Sequence, residues 1–190
     1  MKRQLLLLIV FTLNTVAYAQ TRWTVDPKHT FIRFSVKHFG ISFVEGIFEK
    51  FDGTVIASKP DLSDGKFNFA IETNSISTNE EERDAILRSG DFLGAKNYPK
   101  ITFNSISYKQ NIDNDYELSG RLTIRDVTKT VTFNVKFGGI AKDHEGNIRA
   151  GFSGTAVINR MDYHVDYDPI ISGVGQDVKI YLNIEFIQAK

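Results

Sequence analysis

Histidines stand at positions 29, 38, 144 and 164, and no cysteine accompanies them. A thiol nucleophile is therefore excluded, and no Gly-x-Ser-x-Gly elbow presents a serine for attack. His164 lies among Asp162, Asp166 and Asp168. In an extended strand these alternate residues would share one side and converge on a hard cation. Loop carboxylates reach the same density without binding anything, so no metal is assigned. His38 with a nearby carboxylate would make an acid–base pair, but the spacing selects no partner. Gly173-Val174-Gly175 lacks the helix that a phosphate-cradling loop must lead into. Arg83-Asp84 can pair with each other, dock a helix, or grip a polar headgroup. No catalytic residue, metal ligand or cofactor is assigned from these groups.

The elements that would carry them are nearly all strands. Ile32, Phe34, Val36 and His38 alternate with Phe31, Arg33, Ser35 and Lys37, the period-two pattern of a strand with one buried face. Residues 43–56 read as one long strand bent at Gly46 and Gly53. Phe67, Phe69 and Ile71 alternate next, and 101–108 forms another strand. Tyr116, Leu118, Gly120, Leu122 and Ile124 share a face, as do Val131, Phe133, Val135 and Phe137. The runs 148–158 and 178–186 close the chain. Roughly eight strands of about 7–12 residues, joined by tight turns, predict an all-β, eight-stranded antiparallel up-and-down barrel.

One stretch breaks the alternation. In 77–103, Thr78 or Asn79 can cap a helix whose first turn is Glu80, Glu81 and Glu82, with capping-box spacing to Glu81 or Glu82. Gly90 and Gly94 are stop signals, and Tyr98-Pro99 forces an extended exit. A single short helical segment, about 79–93, is expected to cover an end of the barrel.

Residues 1–19 have the character of a cleaved leader. Lys2 and Arg3 precede an apolar run from Leu5 to Leu13, too short to span a bilayer, and Ala17-Tyr18-Ala19 offers the small residues of a cleavage site. The expected mature domain is 20–190, exported to a periplasm, with secretion as the alternative. Loss of Lys2 and Arg3 leaves 21 basic against 23 acidic side chains, a balance with no basic field for nucleic acid. Fifteen phenylalanines stand against two methionines and one tryptophan. An eight-stranded barrel is just wide enough to fill with side chains or to hold one small ligand. Rings alternating with Gly120, Gly154 and Ala156 fit either an apolar tunnel or a dry interlocked core, and pattern alone leaves both open.

Several motifs together resemble the YceI-like, polyisoprenoid-binding family. They are Trp23 with Asp26-Pro27-x-His29-Thr30, Phe34-x-Val36-x-His38, Gly46-x-Phe48 and Phe51-x-Gly53. Within the helical stretch come Ser75-Ile76-x-Thr78, Arg83-Asp84, Leu87-Arg88-Ser89, Asp91-Phe92 and Tyr98-Pro99-x-Ile101-x-Phe103. Gly120-x-Leu122-Thr123-Ile124, Val127-Thr128-Lys129 and Asn159-Arg160 follow in order. Two departures stand out. Asp126 occupies a position where the family commonly has glycine, and Met161 to Asp168 replaces a phenylalanine-glycine step.

The resemblance implies a lipocalin-like barrel with a helix over one end, enclosing a long isoprenoid or fatty amphiphile. It also implies an exported, non-enzymatic homodimer. Under it, Phe34, Phe43, Phe48, Phe67, Phe69, Phe103, Leu122 and Phe133 are the expected lining, with Leu87 and Phe92 closing an end. His38, Arg83 and Asp84 are candidates for the polar end. Which face turns inward stays open where both carry rings, as at Phe31 and Phe34. The rival readings are an enzyme acting on an apolar substrate in the same pocket, and a solid barrel whose surface binds a protein.

Overall fold

The computed structural model describes residues 20–112, 115–167 and 173–189. Its strands are β1 (Thr21–Val25), β2 (Phe31–His38), β3 (Ser42–Phe48), β4 (Phe51–Ala57), β5 (Lys66–Glu72), β6 (Ile76–Ser77), β7 (Lys100–Ile112), β8 (Asp115–Ile124), β9 (Val127–Lys142), β10 (Ile148–Asn159) and β11 (Val174–Gln188). All the pairings are antiparallel, and β1-β4-β5-β7-β8-β9-β10-β11 returns to β1, a closed eight-stranded barrel. Closure leaves this ring with no unpaired edge.

The three remaining strands prolong the first three staves beyond a bend. β11 pairs with β1 at Phe186–Gln188 and with β2 between Val174 and Asn183. β3 runs beside β2, and β6 meets β3 only at Ile47 and Phe48. The long strand expected at 43–56 therefore breaks at Glu49-Lys50, and not at Gly46 or Gly53. The break is stitched to a 3-10 turn at Thr73–Ser75: Glu49 N–H donates to the Ser75 carbonyl at 3.1 Å, and Lys50 N–H to Ser75 Oγ at 3.0 Å. A turn that accepts these amides satisfies backbone groups that would otherwise lose their ladder partners.

Alternation places the core. Leu118, Leu122 and Ile124 of β8 are buried while Glu117 and Arg121 are exposed. Phe133 and Val135 of β9, and Ala150, Phe152, Ala156 and Ile158 of β10, follow suit. At the end carrying the β4–β5 turn, Trp23, Leu62, Val55 and Phe186 are almost wholly buried and plug the barrel. The opposite end lies under the helical segment.

That segment is shorter than expected. The helix α1 is Glu81–Arg88, and the chain then folds through turns to Pro99. Ser89 leaves helical geometry at φ −67°, ψ 170°, and Gly94 adopts φ +59°, the left-handed conformation that favours glycine. The cap is Glu80, whose carboxylate accepts from the amides of Glu82 and Arg83. Thr78 is drawn away from capping by Asp84, and Asn79 sits at φ +60°. Among the described residues, no helix is long and apolar enough to cross a membrane.

Candidate functional site: an apolar cavity under a latched lid

Inside the barrel is a cavity of about 200 Å³ whose exposed walls are wholly apolar. It runs from the middle of the barrel to the end covered by 78–99. At its inner limit, Phe67, Phe152 and Phe186 pack edge to face, with centroids 5.5–6.3 Å apart. Such ring packing closes a barrel tightly. The volume exceeds the roughly 150 Å³ of an apolar cavity that stays dry and takes a benzene-sized guest. It is smaller than the about 300–1,000 Å³ of ordinary small-molecule pockets. The interior is thus neither solid nor wide.

Its openness traces to glycines. Phe34 is opposite Gly46 on β3, and Phe69 is opposite Gly53 on β4. In both pairs the ring fills the space that a β-carbon on the glycine would need. Phe103 covers Gly120 on β8 in the same way. A ring laid against a glycine on the neighbouring strand keeps to the wall and leaves the axis free. Gly46 and Gly53, read from sequence as bends, are seats for rings.

Phe34, Phe48, Phe67 and Phe69 from the first staves line the cavity, as do Phe103, Leu122 and Phe133 across the barrel. Leu87 and Phe92 cover it from the lid. Four other candidates lie elsewhere. Phe43 faces outward, paired with Lys37, and is exposed on β3. His38 stands at the rim against the ring of Phe39. Arg83 and Asp84 both bind Thr78: Asp84 Oδ1 accepts from its amide at 2.8 Å and its hydroxyl at 2.6 Å, while Arg83 Nε donates to the same hydroxyl at 2.7 Å. Asp84 is buried there, so the pair docks the helix onto its own leading strand.

Two arginines that sequence reasoning left without a role organise the lidded end. Arg125 occupies the β8–β9 turn at φ +54°, and its Nη1 donates to the carbonyls of Phe92 at 2.7 Å and His164 at 2.6 Å. Its guanidinium also lies over the Tyr98 ring, 5.4 Å from the centroid. It latches the lid to the rim. Arg160 opens a second 3-10 turn, Arg160–Tyr163, and is buried against the cavity. It donates to the carbonyls of Gly175, Val165, Tyr167 and Val174. Burial lowers its pKa, partly opposed by the charge of Asp166. Burial also pushes the Tyr163 phenol up to about 12, with Asp162 adding to the shift, so this wall residue stays neutral.

The 3-10 turn disperses the carboxylates once grouped around His164. Asp162 pairs with Lys129 at 2.9 Å, and His164, left-handed at φ +56°, turns its Nδ1 to Asp126 at 3.1 Å. Asp168 lies outside the described residues. A different cluster, Asp26, His29 and Glu185, gathers ligand-type atoms within 4.8 Å of one another. Its cation is Arg149, whose Nη1 donates to Asp26 Oδ2 at 2.6 Å and Glu185 Oε2 at 3.1 Å.

The profile of the YceI-like domain matches residues 23–186, from the buried tryptophan of β1 to the last ring of β11. The chain belongs to the YceI-like family. Among curated relatives, a UPF0312 protein of Pectobacterium atrosepticum is 37% identical over 172 residues, which is 90% of this chain and 88% of that protein. The crystal structure of Burkholderia cenocepacia BcnA superposes with a TM-score of 0.74 at 25% identity, covering 85% of this chain and 98% of BcnA. A polyisoprenoid binding domain from Saccharophagus degradans shares the fold at a TM-score of 0.65 and 13% identity, over 88% of this chain and 98% of that domain. This YceI-like domain thus has the barrel that its motifs implied.

Proposed function

We propose that this protein is an exported carrier that holds the chain of an isoprenoid or other long amphiphile inside its barrel. The observation that carries the reading is the cavity: set within the barrel, apolar on every exposed wall, and bordered by a lid latched through Arg125. Each methylene moved from water into such a space contributes about 0.8 kcal/mol, so a chain binds tightly without a strong headgroup contact. The description of the Saccharophagus domain as polyisoprenoid-binding supports the same ligand class. We take 1–19 as its export leader, the periplasm as its destination and 20–190 as one functional unit. The ligand-contacting set comprises the wall rings with Leu87 and Phe92.

The exposed wall is apolar throughout, as a site that holds a hydrocarbon chain requires. Because the cavity is small, a long chain must displace the Phe67, Phe152 and Phe186 rings at its inner limit as it threads. Organic extraction of the purified protein, followed by mass spectrometry, tests the reading. A stoichiometric long-chain amphiphile is expected. A delipidated protein that takes up neither isoprenoid alcohols nor fatty acids would sink it.

A further inference from the structure

The β2–β3 hairpin projects from the same end of the barrel as the lid, its Phe39 amide bonded to the Gly173 carbonyl at 2.7 Å, and its tip is unusually apolar. Phe39, Ile41 and Phe43 are 63%, 88% and 66% exposed. Between His38 and Val44 there is no carboxylate, and Lys37 stands at the base. The turn itself is strained: Phe39 at φ +47° precedes Gly40 at φ +74°, and the Ile41 amide donates to the His38 carbonyl at 3.1 Å. A bulky residue rarely takes the left-handed conformation, where glycine or asparagine would sit more easily. The Phe39 ring lies over Gly173, in the place a β-carbon there would take, which leaves Ile41 and Phe43 as the side chains that project from the hairpin.

We propose that this tip inserts into the surface of a lipid bilayer and brings the covered end of the barrel to the membrane. The inference rests on the carrier reading, since a chain costly to pass through water must be collected from, or delivered to, a lipid phase. The exposed area of the three side chains is roughly 400 Å², taking about 150–250 Å² for a whole aromatic side chain. That is about half of the roughly 800 Å² that each partner contributes to a stable protein interface. Side chains projecting from a reverse turn suit shallow insertion below the headgroups, with Lys37 reaching back to the phosphates. Ile86 of α1, also exposed, adds an apolar side chain on the lid at this end of the barrel.

Flotation of the mature protein with phosphatidylcholine vesicles, with and without phosphatidylglycerol, tests the proposal against Ile41→Asp and Phe43→Asp. The control is Ile112→Asp, which alters an equally exposed residue at the far end. The parent and the control should float. Each tip variant should lose at least about tenfold in partitioning while still binding a fluorescent fatty acid, which shows an intact barrel. Should Ile41→Asp lose that binding, Phe43→Asp decides. A parent that stays in the aqueous fraction overturns the proposal, as do tip variants that float like the parent. So does a parent dimer that Ile41→Asp converts to monomer, because a second copy would then cover the tip. A parent that floats in a tip-dependent way but binds no fatty acid upholds the docking and overturns the carrier reading.

Discussion

Phe69 Cε1 lies 2.5 Å from the point where a β-carbon on Gly53 would stand, and the three nearest atoms to that point all belong to the Phe69 ring. A methyl group there must move the ring, and the direction left open is the barrel axis. Gly53→Ala is therefore expected to narrow the cavity and shorten the longest chain the barrel holds. Overpacking should cost about 1–3 kcal/mol of stability. A chain-length series of fatty acids, measured by displacement of a fluorescent probe, reads the effect. Identical length profiles in parent and variant would show that ring position does not set the capacity.

The lid offers a kinetic counterpart. Arg125 joins the Phe92 carbonyl to the barrel rim, whereas Leu87 and Phe92 touch the cavity itself. Removing the latch in Arg125→Met should accelerate release of a bound chain several-fold. The stability cost should be only about 1 kcal/mol for exchanged hydrogen bonds. Leu87→Ala and Phe92→Ala should accelerate release too, at a larger cost of about 2–5 kcal/mol if the sites do not collapse. Stopped-flow transfer of a fluorescent fatty acid to acceptor vesicles separates the cases. If all three variants release at the parental rate, the segment is a plug and not a lid.

Much of this barrel was legible in the sequence because alternation is a local property that one buried face enforces along each strand. β8, β9 and β10 follow that pattern almost residue by residue. The break at Glu49-Lys50 was not legible, since its cause is Ser75, remote in sequence. Phe43 stands an odd number of residues from Phe48 and shares its strand face with Glu45, so alternation itself turns it outward, beside Lys37. Nor does any local pattern reveal the latch, because Arg125 acts on carbonyls of Phe92 and His164. The two departures from the family pattern meet in space: His164 Nδ1 hydrogen-bonds Asp126 across the rim, and that bond holds the Asp126 carboxyl below its ordinary range.

Acid should loosen the bend between β1 and β2. Burial alone would raise the Asp26 carboxyl, but hydrogen bonds from Arg149, His29 and the Lys28 amide outweigh it and hold the pKa at about 2. A carboxyl depressed on folding contributes stability that is complete above its unfolded value near 4. That contribution is lost as pH falls toward the folded value. With screening by solvent it amounts to about 1 kcal/mol. Thermal unfolding should therefore show a midpoint falling between pH 4 and pH 2 more steeply in the parent than in Asp26→Asn. Parallel curves would remove Asp26 from the acid response.

The buried Arg160 is the point where helical turn, strand and cavity wall are tied together. Its guanidinium donates to four backbone carbonyls, drawn from 165–167 and from 174–175. Arg160→Met preserves much of the apolar stem but strands those acceptors, each costing about 1–3 kcal/mol if it stays dry. Rehydration will recover part of this, so a loss of about 3 kcal/mol is expected in urea unfolding. Arg160→Lys carries the charge but lacks the planar fork that spans separated carbonyls, so it should recover less than half of the loss. Full recovery by lysine would mean that charge beside the cavity, and not the geometry of the fork, is what position 160 supplies.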